Sequence, residues 1–210
     1  MRNFIRETLS KYIPAETVET LTDWILDYKI KVKITRSRHT KFGDYRAPQN
    51  GHGHRITINH DLNKYAFLIT FIHEVAHLVV REKYKRSVAP HGNEWKHEFK
   101  VLLHPFLNHH IFPEDVLEAL KKYFLNPAAS SCTDVNLYRS LKKYNHHNPS
   151  SLHLEELPEQ SIFQLSNGMI FKKGKLLRKR FECFEIKTKK IYLVSPVAEV
   201  ELCQNKITKN

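Results

Sequence analysis

Between Leu62 and about Lys83 the chain runs through Tyr65, Phe67, Leu68, Ile69, Phe71, Ile72, Val75, Ala76, Leu78 and Val79 with few polar breaks. The run is too long for a strand of about 5–6 residues, and it is apolar on more sides than a surface helix can afford. It therefore predicts a helix buried at the centre of the fold. His73 and Glu74 interrupt it before the roughly 18–20 apolar residues that would span a bilayer. A buried helix cannot carry two imidazoles and a carboxylate idly, because unpaired they would cost several kcal/mol.

Those three residues are spaced as His73-Glu74-Val75-Ala76-His77, an HExxH motif. At about 100° per residue, four steps bring His77 to within about 40° of His73, so both rings can reach one metal ion from one helix face. Glu74 stays on that side, where its carboxylate can hold the attacking water without ligating. Zinc lowers the pKa of its water to about 7 and polarises a peptide carbonyl, while the carboxylate takes the proton and passes it to the leaving amine. With 14 histidines in 210 residues the spacing alone is weak, and the bland alternative is two satisfied core histidines beside a surface glutamate. The buried, mid-helix setting favours the metal.

A catalytic zinc needs a third protein ligand and an open fourth position. The long metzincin form requires Gly at position 80 and His at 83, where this chain has Val80 and Lys83. Two candidates remain: Glu94, on a following helix in the manner of gluzincins, and His91, in a Pro90-His91-Gly92 turn that can fold back on the first helix.

Around this centre, Ala15–Tyr28 reads as an amphipathic helix, Lys29–Thr35 and Arg55–Asn59 as strands, and the Gly- and Pro-containing stretch between those strands as a turn or extended connection. Asn93 is placed to cap a helix through about Phe106, and Glu114–Phe124 is a further short helix. Polar, Pro-containing segments at 126–131 and 145–151 bracket a short helix. From Leu157 the pattern becomes strand-like, with Asn167-Gly168 and Lys173-Gly174 as turns and Phe163, Ile170, Phe171, Phe181, Phe184, Tyr192 and Val194 as core candidates. The expected divisions are residues 1–125, a linker at 126–156 and a small antiparallel β unit at 157–204.

Thirty-four Lys and Arg against 22 Asp and Glu give a net charge of +12, which attracts polyanions. Two basic stretches stand out. Arg36, Arg38 and Lys41 precede the buried helix, and Lys172, Lys173, Lys175, Arg178, Lys179 and Arg180 lie in the β unit with Phe181 and Phe184 interleaved. They are candidate nucleic-acid contacts, phosphate on the cations and bases on the rings; the plainer alternative is a solvated edge guarded by lysine. His52, His54 and His97 read as surface histidines, Trp24 and Trp95 as core. Cys132, Cys183 and Cys203 fit neither a disulfide framework nor a CxxC metal site. The first residues offer no apolar leader, so a cytoplasmic location without membrane insertion is expected.

The ordered motifs Ser37-Arg38-His39-Thr40-Lys41-Phe42-Gly43, Ile56-Thr57-Ile58-Asn59 with Leu62, HEVAHLVV, and His91-Gly92-Asn93-Glu94-Trp95 resemble the SprT-like (Spartan-related) zinc metalloprotease family, over about Ala15–Leu107. The resemblance implies an α+β, zincin-like core with a central HExxH helix and a small sheet. It implies one Zn2+ on His73, His77 and His91, with Glu74 as catalytic base. The implied substrates are proteins or peptides, among them proteins bound or crosslinked to DNA. Many bacterial members carry a C-terminal zinc ribbon of four cysteines, whereas the matching segment here has Cys183 and Cys203 only, so no second zinc is expected. The competing expectation is a basic nucleic-acid-binding protein whose zinc is structural or vestigial and which has no proteolysis.

Overall fold

The computed structural model describes residues 1–38, 41–85, 88–127, 134–145 and 152–203. His39, Thr40 and Cys132, named above, lie outside them, as do most of the polar segments at 126–131 and 145–151 and position 204, the expected end of the β unit. The described residues form six α-helices and two sheets, an α+β fold. The chain divides into two compact units, Met1–His146 and His147–Asn210. No described helix is long and apolar enough to cross a membrane.

In the first unit, α1 (Arg2–Leu9) and α2 (Val18–Asp27) precede strand β1 (Lys31–Thr35). Helix α1 was not expected from the sequence. Its Arg2 forms ion pairs with Glu19 and Asp23 of α2, at 3.1 and 2.7 Å, and Arg6 also pairs with Glu19. Strands β2 (Gly43–Arg46) and β3 (Arg55–Asn59) complete a three-stranded sheet in the order β1-β3-β2, with β1 parallel and β2 antiparallel to β3. The segment read as a turn thus contains an edge strand. Its Gly43-Asp44-Tyr45-Arg46 has no apolar alternation, so no period-2 signal announces it.

Helix α3 (Lys64–Tyr84) is the expected central helix. Asn63 caps it by accepting the amides of Tyr65 and Ala66, and fifteen of its residues are buried, from Tyr65 to Val80. Ile56 and Ile58 of β3 are buried in the same core, on one sheet face as period 2 requires. Helix α4 (Asn93–Leu103) begins after Gly92, not after a capping Asn93. Lys83, at the position where a metzincin would carry histidine, donates to both oxygens of the buried Glu98, at 2.9 and 2.8 Å, and so ties α3 to α4. Helices α5 (Glu114–Leu125) and α6 (Val135–Lys142) close the unit; α6 falls in the stretch expected as linker, yet Leu137 and Leu141 are buried in this core.

The second unit is a six-stranded antiparallel sheet in the order β4-β9-β5-β6-β7-β8, from β4 (Leu152–His153), β5 (Ile162–Leu165), β6 (Ile170–Leu177), β7 (Arg180–Glu185), β8 (Ile191–Val194) and β9 (Glu199–Leu202). Gly168, at φ 83°, makes the expected turn. Gly174 does not; it sits within β6 at an irregularity in pairing, where a Cβ would lie 2.7 Å from the carbonyl oxygen of Glu182. The hairpin turn comes later, at Arg178 (φ 48°). The core holds Phe163, Phe171, Cys183, Val194 and Val200, with Leu154 and Leu157 from the preceding segment. Phe184 and Tyr192, expected inside, are exposed. Phe184 follows buried Cys183 in β7, so alternation turns it to the other face, and Tyr192 lies on the edge strand.

Candidate metal centre

His73 and His77 project from one face of α3, and the polypeptide returns through Ala89-Pro90 to bring a third ring beside them. That return requires a left-handed residue, and it is His91 itself, at φ 58°, not the following glycine. Gly92 serves differently: a Cβ there would lie 3.1 Å from the carbonyl oxygen of Ala89 as α4 opens. The three Nε2 atoms stand 3.3 Å (73–77), 2.9 Å (77–91) and 3.2 Å (73–91) apart. Two Zn–N bonds of about 2.0–2.1 Å at the tetrahedral angle span about 3.3–3.4 Å, so this triangle has the size of one face of a zinc tetrahedron.

Hydrogen bonding alone does not account for it. Each Nε2 carries either one proton or one lone pair, directed in its ring plane, so three nitrogens cannot satisfy three mutual contacts. Lone pairs converging on a shared cation can. Burial pushes the His73 pKa down to about 2 and that of His77 to about 4, and lowers that of His91, so the rings stay neutral and able to ligate at neutral pH. Glu94 is not in the cluster; among the described residues the group able to hold a metal is His73, His77 and His91.

Glu74, one residue after His73 on α3, is buried and packs against Gly43 of β2. Burial raises its carboxyl to about 8, partly opposed by a hydrogen bond from the Tyr45 amide. Edge strand β2 approaches so closely that a Cβ on Gly43 would sit 2.6 Å from Oε1 of Glu74 and 2.7 Å from Cγ2 of Thr70. The glycine in the motif before the helix is thus the space that Glu74 occupies. Arg38 and Asn59 hold this strand in place: Arg38 donates to the Asn59 side chain at 2.8 Å and to Thr57 Oγ1 at 3.1 Å, and Asn59 donates to the carbonyls of Arg38 and Lys41.

Trp95 does more than fill the core. It is fully buried, with its ring centroid 4.6, 5.5 and 4.8 Å from those of His73, His77 and His91, and it stacks on Phe99 at 5.0 Å. It forms an apolar floor that fixes the imidazole planes, a role its spacing in the sequence did not disclose. Beside His77 and His91 opens a cavity of about 140 Å³, also lined by Tyr45, Arg81 and Trp95. His54 is not a mere surface histidine: Nδ1 meets the Tyr45 hydroxyl at 2.9 Å and Nε2 meets Glu82 at 3.4 Å. With Nε2–H donated to the carboxylate, Tyr45 donates to Nδ1, which orients the phenol at the cavity wall. His52 and His97 are exposed.

The basic candidates fall into two groups. Arg36, Lys172, Lys175, Arg178, Lys179 and Arg180 are exposed, as is Lys41, although it pairs with Asp44 at 2.7 Å. Arg38 spends its guanidinium inside the fold, as above. Lys173 is only 4% exposed; its ammonium donates to the carbonyl of Leu157 and lies 4.1 Å from the Phe181 ring centroid, so burial lowers its pKa. Neither is free to meet phosphate.

No curated protein and no solved structure matches the chain. Residues 15–105 match the SprT-like family, and that segment contains all three histidines, Glu74, Gly43 and Trp95. Over the stretch that carries the whole centre, the likeness to the SprT-like family read from the motifs is therefore shown.

Proposed function

We propose that the first unit is a zincin-type metalloendopeptidase holding one Zn2+ on His73, His77 and His91. The single observation that supports this most is the triangle of Nε2 atoms at 2.9–3.3 Å with a buried carboxylate one residue after the first ligand. When bound, zinc supplies Lewis acidity, which makes water a nucleophile near neutral pH and polarises the scissile carbonyl. Glu74 then accepts the water's proton and delivers it to the leaving amine. A nearby dication favours the ionised form of Glu74, offsetting the burial that raises its pKa and making it a base at neutral pH. Trp95 keeps the imidazole planes fixed and water away from their rear side, and Tyr45 and Arg81 line the cavity in which one end of a peptide would sit.

The substrates in this reading are proteins or peptides, with proteins associated with or crosslinked to DNA as the class that the family likeness suggests. The net charge of +12 and the exposed Arg36, Lys172, Lys175, Arg178, Lys179 and Arg180 would retain the enzyme near phosphate. Glu74→Gln is the test. It removes only the proton acceptor, so zinc content by elemental analysis should remain at one ion per chain while cleavage of a protein substrate falls by about 10²-fold or more. An unchanged cleavage rate would rule out this role for Glu74. Loss of the ion from His91→Ala separates the His91 site from one built on Glu94.

A further inference from the structure

We propose that strand β8 of the second unit is a docking edge for an extended acidic–apolar segment of a partner protein, which adds to the sheet as a seventh strand. β8 is the end of the strand order, with no strand on its far side among the described residues. Natural edges are usually guarded by an inward charge, a proline or a bulge, and Ile191-Tyr192-Leu193-Val194 contains none of these. Register places Ile191 opposite Phe184, which in turn lies opposite Lys172, and Leu193 opposite Glu182. Ile191, Leu193 and Phe184 are 57, 54 and 43% exposed, so apolar side chains form a contiguous patch on the outer face beside an open backbone edge. That combination gives an incoming strand main-chain partners and contacts for its alternate side chains.

Charge selects the occupant. Lys187, Lys189 and Lys190 are exposed in the turn that leads into β8, and Lys172 flanks Phe184. The exposed Arg180 donates to the Leu193 carbonyl at 3.3 Å, an edge acceptor that an incoming strand would take over, freeing the guanidinium for its carboxylates. Of the nearby carboxylates, Glu185 is buried and bonded to Thr188, leaving Glu182 on the apolar row. A second copy of this edge would bring two cationic rims together, whereas an acidic strand is drawn in. Nucleic acid fits less well. The outer face is mainly aliphatic, with Phe184 its one stacking ring among the described residues; Tyr192, paired with Cys183, turns to the other face, and Phe181 lies beneath Lys173. The inference does not depend on proteolysis by the first unit.

The test uses the whole 210-residue chain with EDTA and fluorescein-labelled peptides read by anisotropy: one alternating Glu and Val, one alternating Lys and Val, with oligo(dT) as the nucleic-acid probe. The Glu/Val peptide should bind about ten-fold or more tightly than the Lys/Val peptide, and weaken with salt. Ile191→Thr with Leu193→Thr, which retains β propensity, should cost at least about ten-fold, and Lys187→Glu with Lys190→Glu on the solvated turn should reverse the peptide preference. Absence of peptide binding, equal binding of both peptides, oligo(dT) binding lost in the threonine pair, or self-association in sedimentation abolished by that pair would each overturn the proposal.

Discussion

At the scale of single residues, the centre is a set of ionisable groups kept neutral by burial, and this makes its stability dependent on pH. His73 and His77 drop from 6.5 to about 2 and about 4, and His91 is also lowered, so below pH 6.5 the unfolded chain takes up protons that the folded one refuses. Their contribution is therefore lost as pH falls through 6.5. Glu74 runs the other way. Raised from 4.5 to about 8, it binds a proton when folded that the unfolded chain has released, so its contribution is lost as pH rises from 4.5 to 8. His73 and His77 alone outweigh one carboxyl between 4.5 and 6.5, and the EDTA-treated protein should melt highest near pH 6.5, with lower midpoints at pH 5 and 8. Zinc should flatten the alkaline limb and steepen the acid one, because protons compete with it for the rings. A midpoint in EDTA rising steadily to pH 8 would contradict the assignment of Glu74 as a buried, raised carboxyl.

How far these residues were legible depended on where their geometry is set. His73, Glu74 and His77 follow from helix periodicity alone. Position 91 needed the left-handed φ at the return turn, a long-range feature, so spacing left it level with Glu94 until the family motif was considered. Lys173 and Arg38 show the limit from the other side: a basic residue in a basic stretch reads as solvated, and only packing reveals one ammonium over Phe181 and one guanidinium bound to Asn59 and Thr57.

Among the elements, β2 joins the sheet to the chemistry. It is an edge strand of four residues, stabilised less by its own side chains than by β3 and the Arg38–Asn59 bonds, and it presses against α3 where Glu74 sits. Gly43→Ala should leave zinc content unchanged but displace the carboxylate or the strand, since the new methyl would lie 2.6 Å from Oε1 and 2.9 Å from Cγ of Glu74. Because misplacement on the order of 1 Å can cost about 10²-fold, cleavage should fall by about ten- to a hundred-fold. Wild-type turnover with full metal content would mean that β2 does not constrain Glu74. The strand was invisible to periodicity because its role is a close approach, which glycine permits and no alternation marks.

At the scale of the whole molecule, the two units have separate cores, one around α3 and one within the six-stranded sheet. Residues 1–146 expressed alone should therefore melt cooperatively and take up one zinc per chain by elemental analysis; a chain that aggregates or binds no metal would show that the first core is incomplete without the rest. Helix α6 has to be kept in such a fragment, since Leu137 and Leu141 are part of that core and Asn63, the cap of α3, donates to the Leu141 carbonyl at 2.8 Å. Cutting at the composition shift near residue 126 would remove both.

The sequence by itself determined the buried central helix, the two histidines one turn apart on it, and a helical stretch followed by a strand-rich one, because these depend on periodicities of 3.6 and 2 that act over a few residues. The motif resemblance, not spacing, pointed to His91 as the third side chain; only the tertiary structure decided how the chain returns to bring it in, that Trp95 forms the floor, that Gly43 makes room for Glu74, and which cations and aromatics of the second unit face solvent. Those depend on where distant segments meet, and contacts between residues far apart in sequence leave no local pattern to read.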